Sequence, residues 1–488
     1  MLFNSYVFIL LFLPITLLGF YWLAGRFAPR VAKAWLVAAS LFYYAWWNPA
    51  YLGLLIASLL VNYGIGLALA GPGEPRSKRS LLTIGVILNL GALAYFKYAN
   101  FFVDNLTGLT GLDWHLKVII LPLGISFFTF QQIAYLVDAK RGETREYRFL
   151  DYALFVSFFP QLIAGPIVHH KEMMPQFARD QTYRFDPMNL AVGLGIFAFG
   201  LFKKVIIADT IGVYASRVFN PVAETGLDPS ALDAWFGALA YTGQLYFDFS
   251  GYSDMAIGLG RMFGILLPLN FFSPYKSRDI IEFWRRWHIT LSRFLRDYLY
   301  IPLGGNRRGQ FRRYLNLMIT MTLGGLWHGA GWTFVIWGAL HGVYLMINHG
   351  WHAIAGKRKQ PWWGLPLTLL AVVIGWVFFR SADLPTAMSM LRAMIGLGET
   401  GLGPLLKERH FVSISLVLAL ALIAPNVRQI FGDWRPSYEP LPASDVLQGK
   451  WRWFRWQPTP FWAVVSAVIF AVCVLSLSNV SEFLYFQF

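Results

Sequence analysis

Tyr314-Leu315-Asn316-Leu317-Met318-Ile319-Thr320-Met321-Thr322-Leu323-Gly324-Gly325-Leu326-Trp327-His328-Gly329-Ala330-Gly331-Trp332 is an apolar run that begins directly after Arg312-Arg313 and carries one histidine near its end. At about 1.5 Å per helical residue, His328 lies roughly 22 Å from that basic edge, inside a hydrocarbon layer about 30 Å thick. An ionisable side chain at this depth is costly and marks a functional site by default. The next basic cluster is Lys357-Arg358-Lys359. Segment 314–350 therefore goes in and comes back to one side, with Gly329-Ala330-Gly331 at the turn and His328 near the far end of a hairpin.

The rest of the chain supplies the membrane around that hairpin. Of 488 residues, 56% are hydrophobic and only 14% charged, and the repeated apolar runs exceed what a soluble core requires. The reading is an all-α polytopic membrane protein. Apolar segments near 3–24, 31–47, 50–70, 80–99 and 118–137 alternate with basic loops (26–33, 76–79, 140–148) and weakly charged ones (48–49, 104–115), which places the N-terminus outside. The run from Phe3 to Leu23 lacks a preceding basic region and a small-residue cleavage site, so a retained helix is expected and no signal peptide. A net charge of +15 raises nucleic acid as a partner, but Lys and Arg cluster in alternate short loops, as membrane topology requires. The single cysteine, Cys473, excludes a disulfide framework and a cysteine metal site.

Between 140–148 and the basic stretch 276–313 the crossings must be even in number, yet three apolar segments occur, 150–168, 188–208 and 233–268. The first, interrupted by Pro160, Gly165 and Pro166, reads as re-entrant. Lys203 and Lys204 sit awkwardly inside the second. Residues 279–300 interleave aromatic and aliphatic side chains with charge at helical spacing, which predicts an amphipathic helix lying in the interface. Helices near 364–379, 411–425 and 461–479 complete roughly 12 crossings, with the C-terminus outside. The chain divides into N-terminal helices (1–137), a core (138–350) and C-terminal helices (351–488), all one integral-membrane domain.

Several groups in the core suit chemistry. His328 either bonds a carbonyl across a helix interface or, as a neutral imidazole in a partly desolvated tunnel, takes a proton from an alcohol attacking a thioester. An acyl-imidazole relay is the other catalytic option. Gly324, Gly325, Gly329 and Gly331 leave space beside the ring, which suits close approach of a substrate. His288 lies on the amphipathic segment; Arg285, Arg286, Arg293 and Arg296 near it form either a salt-bridge lattice with Asp297 or a site for donor phosphates. Asp248, Ser250, Tyr252, Ser253 and Asp254 read as a polar break between apolar runs or as tunnel lining, as does Trp327. His169, His170 and Glu172 lack a third well-spaced ligand, so no metal site is expected. His115, His341, His349, His352 and His410 are given no role.

These segments resemble the membrane-bound O-acyltransferase family, and within it the bacterial branch concerned with alginate O-acetylation. The likeness rests on Leu121-Pro122-Leu123-Gly124-Ile125-Ser126-Phe127-Phe128-Thr129-Phe130-Gln131, Phe159-Pro160-Gln161-Leu162-Ile163-Ala164-Gly165-Pro166-Ile167, the run Asp248 to Asp254, Trp284 to Gly305, and Leu326-Trp327-His328-Gly329. It implies a ring of about 11–12 transmembrane helices, with re-entrant and interfacial helices, around a funnel or tunnel. It implies that His328 is the essential histidine and His288 the second signature position, which eukaryotic members fill with Asn or Asp. The resemblance further implies the bacterial inner membrane and a cytoplasmic acyl donor, acetyl-CoA or an acylated carrier, with no tightly bound cofactor. The implied acceptor is a periplasmic acetyltransferase of SGNH type or a similar protein that esterifies polysaccharide hydroxyls. Relatives modify alginate, peptidoglycan, cellulose or teichoic acid. The competing classes are a polymer or lipid translocase whose histidine gates a path, and a platform without chemistry of its own.

Overall fold

The computed structural model describes all residues except 112–113, 115, 145–147, 357–360, 402, 478–483 and 485–488, and among the described residues there are helices and turns but no strand. His115, the Lys357-Arg358-Lys359 cluster and residues 485–488 lie outside the described residues. The N-terminal part is built from α1 (Leu13–Arg26), α2 (Pro29–Ala45), α3 (Ala50–Ala70), α4 (Pro75–Leu93) and α5 (Ala99–Thr110). Prolines open α2 and α4, where the first turn has no intrahelical acceptor for the missing N–H, whereas Pro14 of α1 follows a π-turn at Phe8–Phe12 inside the continuous helix Phe8–Arg26. A π-turn, Ala94–Tyr98, joins α4 to α5 and carries Lys97, the only lysine or arginine between Arg79 and Lys117. Next, α6 (Ile125–Lys140) is buried along nearly its whole length and forms a central post.

The re-entrant segment consists of α7 (Phe149–Ser157), a break at Phe158, α8 (Phe159–Leu162) and buried irregular backbone to residue 168. Side chains from elsewhere satisfy it: the Phe159 N–H donates to Ser40 Oγ (3.1 Å) and the Ile167 N–H to Thr290 Oγ1 (3.0 Å). Without such partners, non-helical backbone is not tolerated at membrane depth. After α9 (His170–Phe177), α10 (Pro187–Phe202) and α11 (Asp209–Thr225) run on through a π-turn at Lys203–Ala208, and α12 (Ala231–Met262) crosses beside them as one 32-residue helix. Glycines set that contact. A Cβ at Gly193 would lie 2.7 Å from the Gly258 carbonyl, and one at Gly200 equally close to that of Gly251. Backbones in contact gain dispersion where lipid removes the usual hydrophobic drive.

The segment expected as one amphipathic helix over 279–300 is instead two short helices, α13 (Ile280–Arg286) and α14 (Ile289–Leu295), followed by a π-turn at Arg296–Tyr300. The break falls at Trp287-His288 because residues 270–272 take the backbone bonds: Phe272 N–H donates to Arg286 O and Ile289 N–H to Asn270 O. Phe283, Trp287, Leu291 and Phe294 are buried in protein, so this segment is packed into the bundle and does not lie on lipid. The hairpin follows as α15 (Gly309–His328) and α16 (Trp332–Ala355). Of the four glycines expected beside the His328 ring, Gly325 and Gly329 do not make room for a substrate, contrary to the reading from sequence, while a Cβ at Gly324 would meet Leu295 at 3.1 Å and one at Gly331 only ordinary contacts, at 3.5 Å and beyond. A Cβ at Gly325 would lie 2.2 Å from the Phe334 carbonyl and one at Gly329 equally close to the Phe334 ring, so they let α15 and α16 touch.

The chain closes with α17 (Gly364–Arg380), α18 (Leu384–Met394), α19 (Glu408–Ile423), α20 (Val427–Ile430) and α21 (Pro460–Leu475). Among the described residues, the runs Phe8–Arg26, Ala50–Ala70, Pro75–Thr110 and Pro187–Thr225 are each long and apolar enough to cross a bilayer alone, while α17 and α21 are apolar but shorter. Helices such as α12 and α15 carry polar side chains that neighbouring helices satisfy, so their own hydropathy understates their place in the bundle.

Candidate active site

His328 is the last residue of α15, at the tip of the hairpin, and is 4% exposed. Trp327, Trp337 and Phe379 wall its ring, with centroids 5.0, 5.1 and 5.2 Å away. The ring of His288 lies 6.3 Å from it, at 59°. Thus two histidines 40 positions apart in sequence meet in one apolar enclosure, because the hairpin tip folds back over the break between α13 and α14.

His288 is fully buried with φ 42° and ψ 54°, the left-handed region that is strained for a side chain bearing a Cβ. Asn270 holds it there. The Thr290 hydroxyl accepts from the Ile167 N–H and therefore donates to Asn270 Oδ1 (2.9 Å), while Asn270 Nδ2 donates to Ser253 Oγ (3.2 Å). The amide orientation is thereby set: its oxygen faces Thr290 and also His288 Nδ1, 3.0 Å away. Nδ1 consequently carries the proton and donates, leaving Nε2 as the basic nitrogen of the ring.

Two cavities flank the pair along the hairpin. One, of about 470 Å³, lies at the tip beside Met1 and is lined by Trp327, Lys97, Trp47 and Ser126. The other, of about 660 Å³, lies at the root on the arginine-rich face and is lined by Arg278, Asp279, Tyr344, His352 and Thr368. Neither has an imidazole of the pair in its wall. Trp327 closes the first from His328, and a column of Trp337, His341 and Tyr344 rings (4.8 and 5.5 Å between successive centroids) stands between the second and the site. Access from either end therefore requires aromatic side chains to swing, a motion natural to a gate.

The other residues singled out in the sequence separate into groups. Trp327 both lines the tip cavity and touches His328. Of the α12 residues singled out, Ser253 reaches the pair through Asn270, and their neighbour Phe249 packs edge-on against the His288 ring at 4.8 Å. Asp248, Ser250 and Asp254 do not line either cavity described above; they receive the two awkward lysines. Lys203 Nζ lies 2.6 Å from Asp254 and 3.4 Å from Ser250 Oγ, and Lys204 Nζ lies 2.5 Å from Asp248 and 2.8 Å from Asp209. Tyr252 is buried against Phe3, its ring stacked at 4.8 Å. These pairs hold α10, α11 and α12 together. Lys204→Met is expected to destabilise the protein by about 3–5 kcal/mol, because it strands the Asp248 charge in the bundle. Thermal melting in detergent checks this, and Lys204→Met with Asp248→Asn should recover most of the loss.

The arginines do not converge on one cradle. Arg286 pairs with Glu282 (2.8 Å), Arg293 with Glu172 (2.8 Å), and Arg296 with Asp297 (2.7 Å), while Arg285 is exposed. Asp297 thus serves Arg296 on the arginine-rich face. His169 Nδ1 meets the Tyr298 hydroxyl (3.2 Å), and His170 Nδ1 meets Asp138 (3.3 Å), which also accepts from Tyr298 (2.8 Å). Burial, with the Arg293 guanidinium beside it, lowers His169 to about 4, so it is neutral at ordinary pH. His349 and His352 lie near Arg313 and Asp279, and His410 accepts from the Lys407 N–H.

Three residues escaped the reading from sequence. Asn270 stands in the irregular Pro268-Leu269-Asn270-Phe271-Phe272; a buried amide among apolar residues at membrane depth needs partners, and that was its signal. Lys97 carries the same signal as His328, an ionisable group in an apolar run, and the reading from sequence passes over it. His341, given no role, is fully buried against Trp284 and Trp337, and Gly375 of α17 approaches it so closely that a Cβ would lie 2.9 Å from Nε2.

Comparison with known proteins bears on what this site does. The profile of the membrane-bound O-acyltransferase family, MBOAT, matches residues 77–361, which include both histidines. A peptidoglycan O-acetyltransferase of Helicobacter pylori is 46% identical over 440 residues, 84% of this chain and 82% of the relative. A probable alginate O-acetylase, AlgI, of Pseudomonas putida is 42% identical over 499 aligned positions, covering both chains completely. A teichoic acid D-alanyltransferase of Streptococcus thermophilus is 29% identical over 247 residues, 47% of this chain and 57% of its own length. With a helical membrane bundle closed around a buried histidine pair and these matches, the chain belongs to the membrane-bound O-acyltransferase family and is a multi-pass O-acyltransferase.

Proposed function

We propose that this chain takes an acetyl group from a donor on its arginine-rich, cytoplasmic face and passes it across the bacterial inner membrane for O-acetylation of an exopolysaccharide, alginate first among the candidates. The observation that carries the reading is the histidine pair between cavities at opposite ends of one hairpin. Acetyl-CoA or an acylated carrier would enter from the root, and a periplasmic acetyltransferase of SGNH type or a similar acceptor from the tip. The acceptor hydroxyl oxygen adds to the thioester carbonyl carbon and the C–S bond breaks. His328 takes the hydroxyl proton and returns it to the departing thiolate, so the step balances without a further reactant. His288, held with Nε2 basic, assists at the same centre; with ring centroids 6.3 Å apart, one acyl group can lie within reach of both.

Alginate is preferred because the alginate relative aligns end to end with this chain. Peptidoglycan is the second reading, because the relative acting on it has the higher identity over the part it covers. The test places the purified protein in vesicles with labelled acetyl-CoA on the arginine-rich side, and a periplasmic acetyltransferase partner with deacetylated alginate or peptidoglycan strands on the other. Label on alginate is the expected result. Label confined to peptidoglycan overturns the choice of polymer, and label on no acceptor overturns the transmembrane route in favour of a translocase or platform.

A further inference from the structure

A helix that ends inside a membrane leaves its last carbonyls without intrahelical partners, and α15 ends at the residue that matters most. Three of those carbonyls are met from one place. Lys97 Nζ donates to Trp327 O (2.6 Å) and His328 O (3.0 Å), and the Tyr98 hydroxyl donates to Leu326 O (3.0 Å). Both donors belong to the π-turn between α4 and α5, and π-turns inside helices frequently accompany function. No carboxylate among the described residues pairs with Lys97. The negative end of the α15 dipole faces Lys97 Nζ, which donates to two of its carbonyls. The same side chain lies over the Trp327 ring (5.9 Å) and lines the tip cavity.

We propose that Lys97 is a positioning residue that fixes the hairpin tip, and through it the His328 imidazole, at the tip cavity, with Tyr98 as its lesser partner. The proposal rests on the reading of His328 as the base. Without Lys97, the carbonyls of Trp327 and His328 lose their donor, and the last turn of α15 is free to unwind toward Gly329-Ala330-Gly331. The Trp327 and His328 rings would shift together, because they are consecutive on that turn.

The test uses the full-length protein in nanodiscs. In Lys97→Met, kcat for acyl transfer should fall about 10- to 100-fold with the donor KM unchanged, the effect of misplacing a catalytic group by about 1 Å. Carbethoxylation of His328 by diethyl pyrocarbonate, read by mass spectrometry, should speed up by about tenfold or more as both Lys97 hydrogen bonds are lost. Lys97→Arg, which still donates to two carbonyls, should restore most of both. If Lys97→Met does not fold, Lys97→Gln, which retains one donor group, should give intermediate values. Unchanged ring reactivity and kcat overturn the proposal, as do equal losses in the Met and Arg variants. His328→Ala that still transfers label would instead defeat the catalytic reading, while the ring-reactivity measurement continues to decide the role of Lys97.

Discussion

His328→Ala abolishes acetyl transfer, by on the order of 10⁴-fold, the upper end of what a positioned base contributes. The expectation is this large because the ring is fixed in an enclosure of Trp327, Trp337 and Phe379, and His288, held by Asn270 with its ring centroid 6.3 Å away, cannot move into the place of the lost base. His328→Gln should be as inactive, since it keeps volume and polarity but cannot accept and release a proton. Both variants should keep the melting temperature of the parent within a few degrees, as three backbone carbonyls at the end of α15 are held by Lys97 and Tyr98. Single-turnover transfer of labelled acetyl in vesicles is the measurement. Rates near those of the parent would remove His328 from the chemistry.

The second large effect is expected at a residue that touches no substrate. Asn270→Ala removes the oxygen that accepts from His288 Nδ1 and from the Thr290 hydroxyl, and the nitrogen that donates to Ser253. The His288 Nδ1 then loses the Asn270 acceptor that selects its tautomer, and kcat should fall by on the order of 10²–10³-fold. Asn270→Asp is the informative companion. It retains the acceptor toward His288 and Thr290, and the Ser253 hydroxyl can turn to donate, so it should keep more than a tenth of the parent kcat, a loss below about 1.4 kcal/mol. Steady-state kinetics on the pair of variants checks this, and equal loss in both would mean that Asn270 acts only by holding the loop together.

What could be read beforehand, and what could not, divides along physical lines. The place of His328 at the tip of the hairpin followed from counting residues from Arg313, since a helix has a fixed rise. The break in the segment 150–168 followed from Pro160, Gly165 and Pro166. The partners of Lys203 and Lys204 did not follow, because Asp254 and Asp248 lie on another helix, and an ion pair between helices leaves no periodic trace in either one. The expected amphipathic helix failed for a related reason. Its periodicity is real on both sides of His288, but the backbone of residues 270–272 competes for the hydrogen bonds at the break, and that competition is a property of the folded chain. Gly325 and Gly329 were misread because a residue without a side chain signals closeness without saying to what, and here the neighbour is Phe334 of α16.

One local conformation also bears on how this family varies. At position 288 the chain turns through φ 42°, a region that most residues avoid and that asparagine, aspartate and histidine enter most readily after glycine. Those are the side chains the family resemblance associates with this signature position. The twist of the main chain thus limits position 288 before any chemistry is considered, because only a few polar residues besides glycine enter that conformation at low cost.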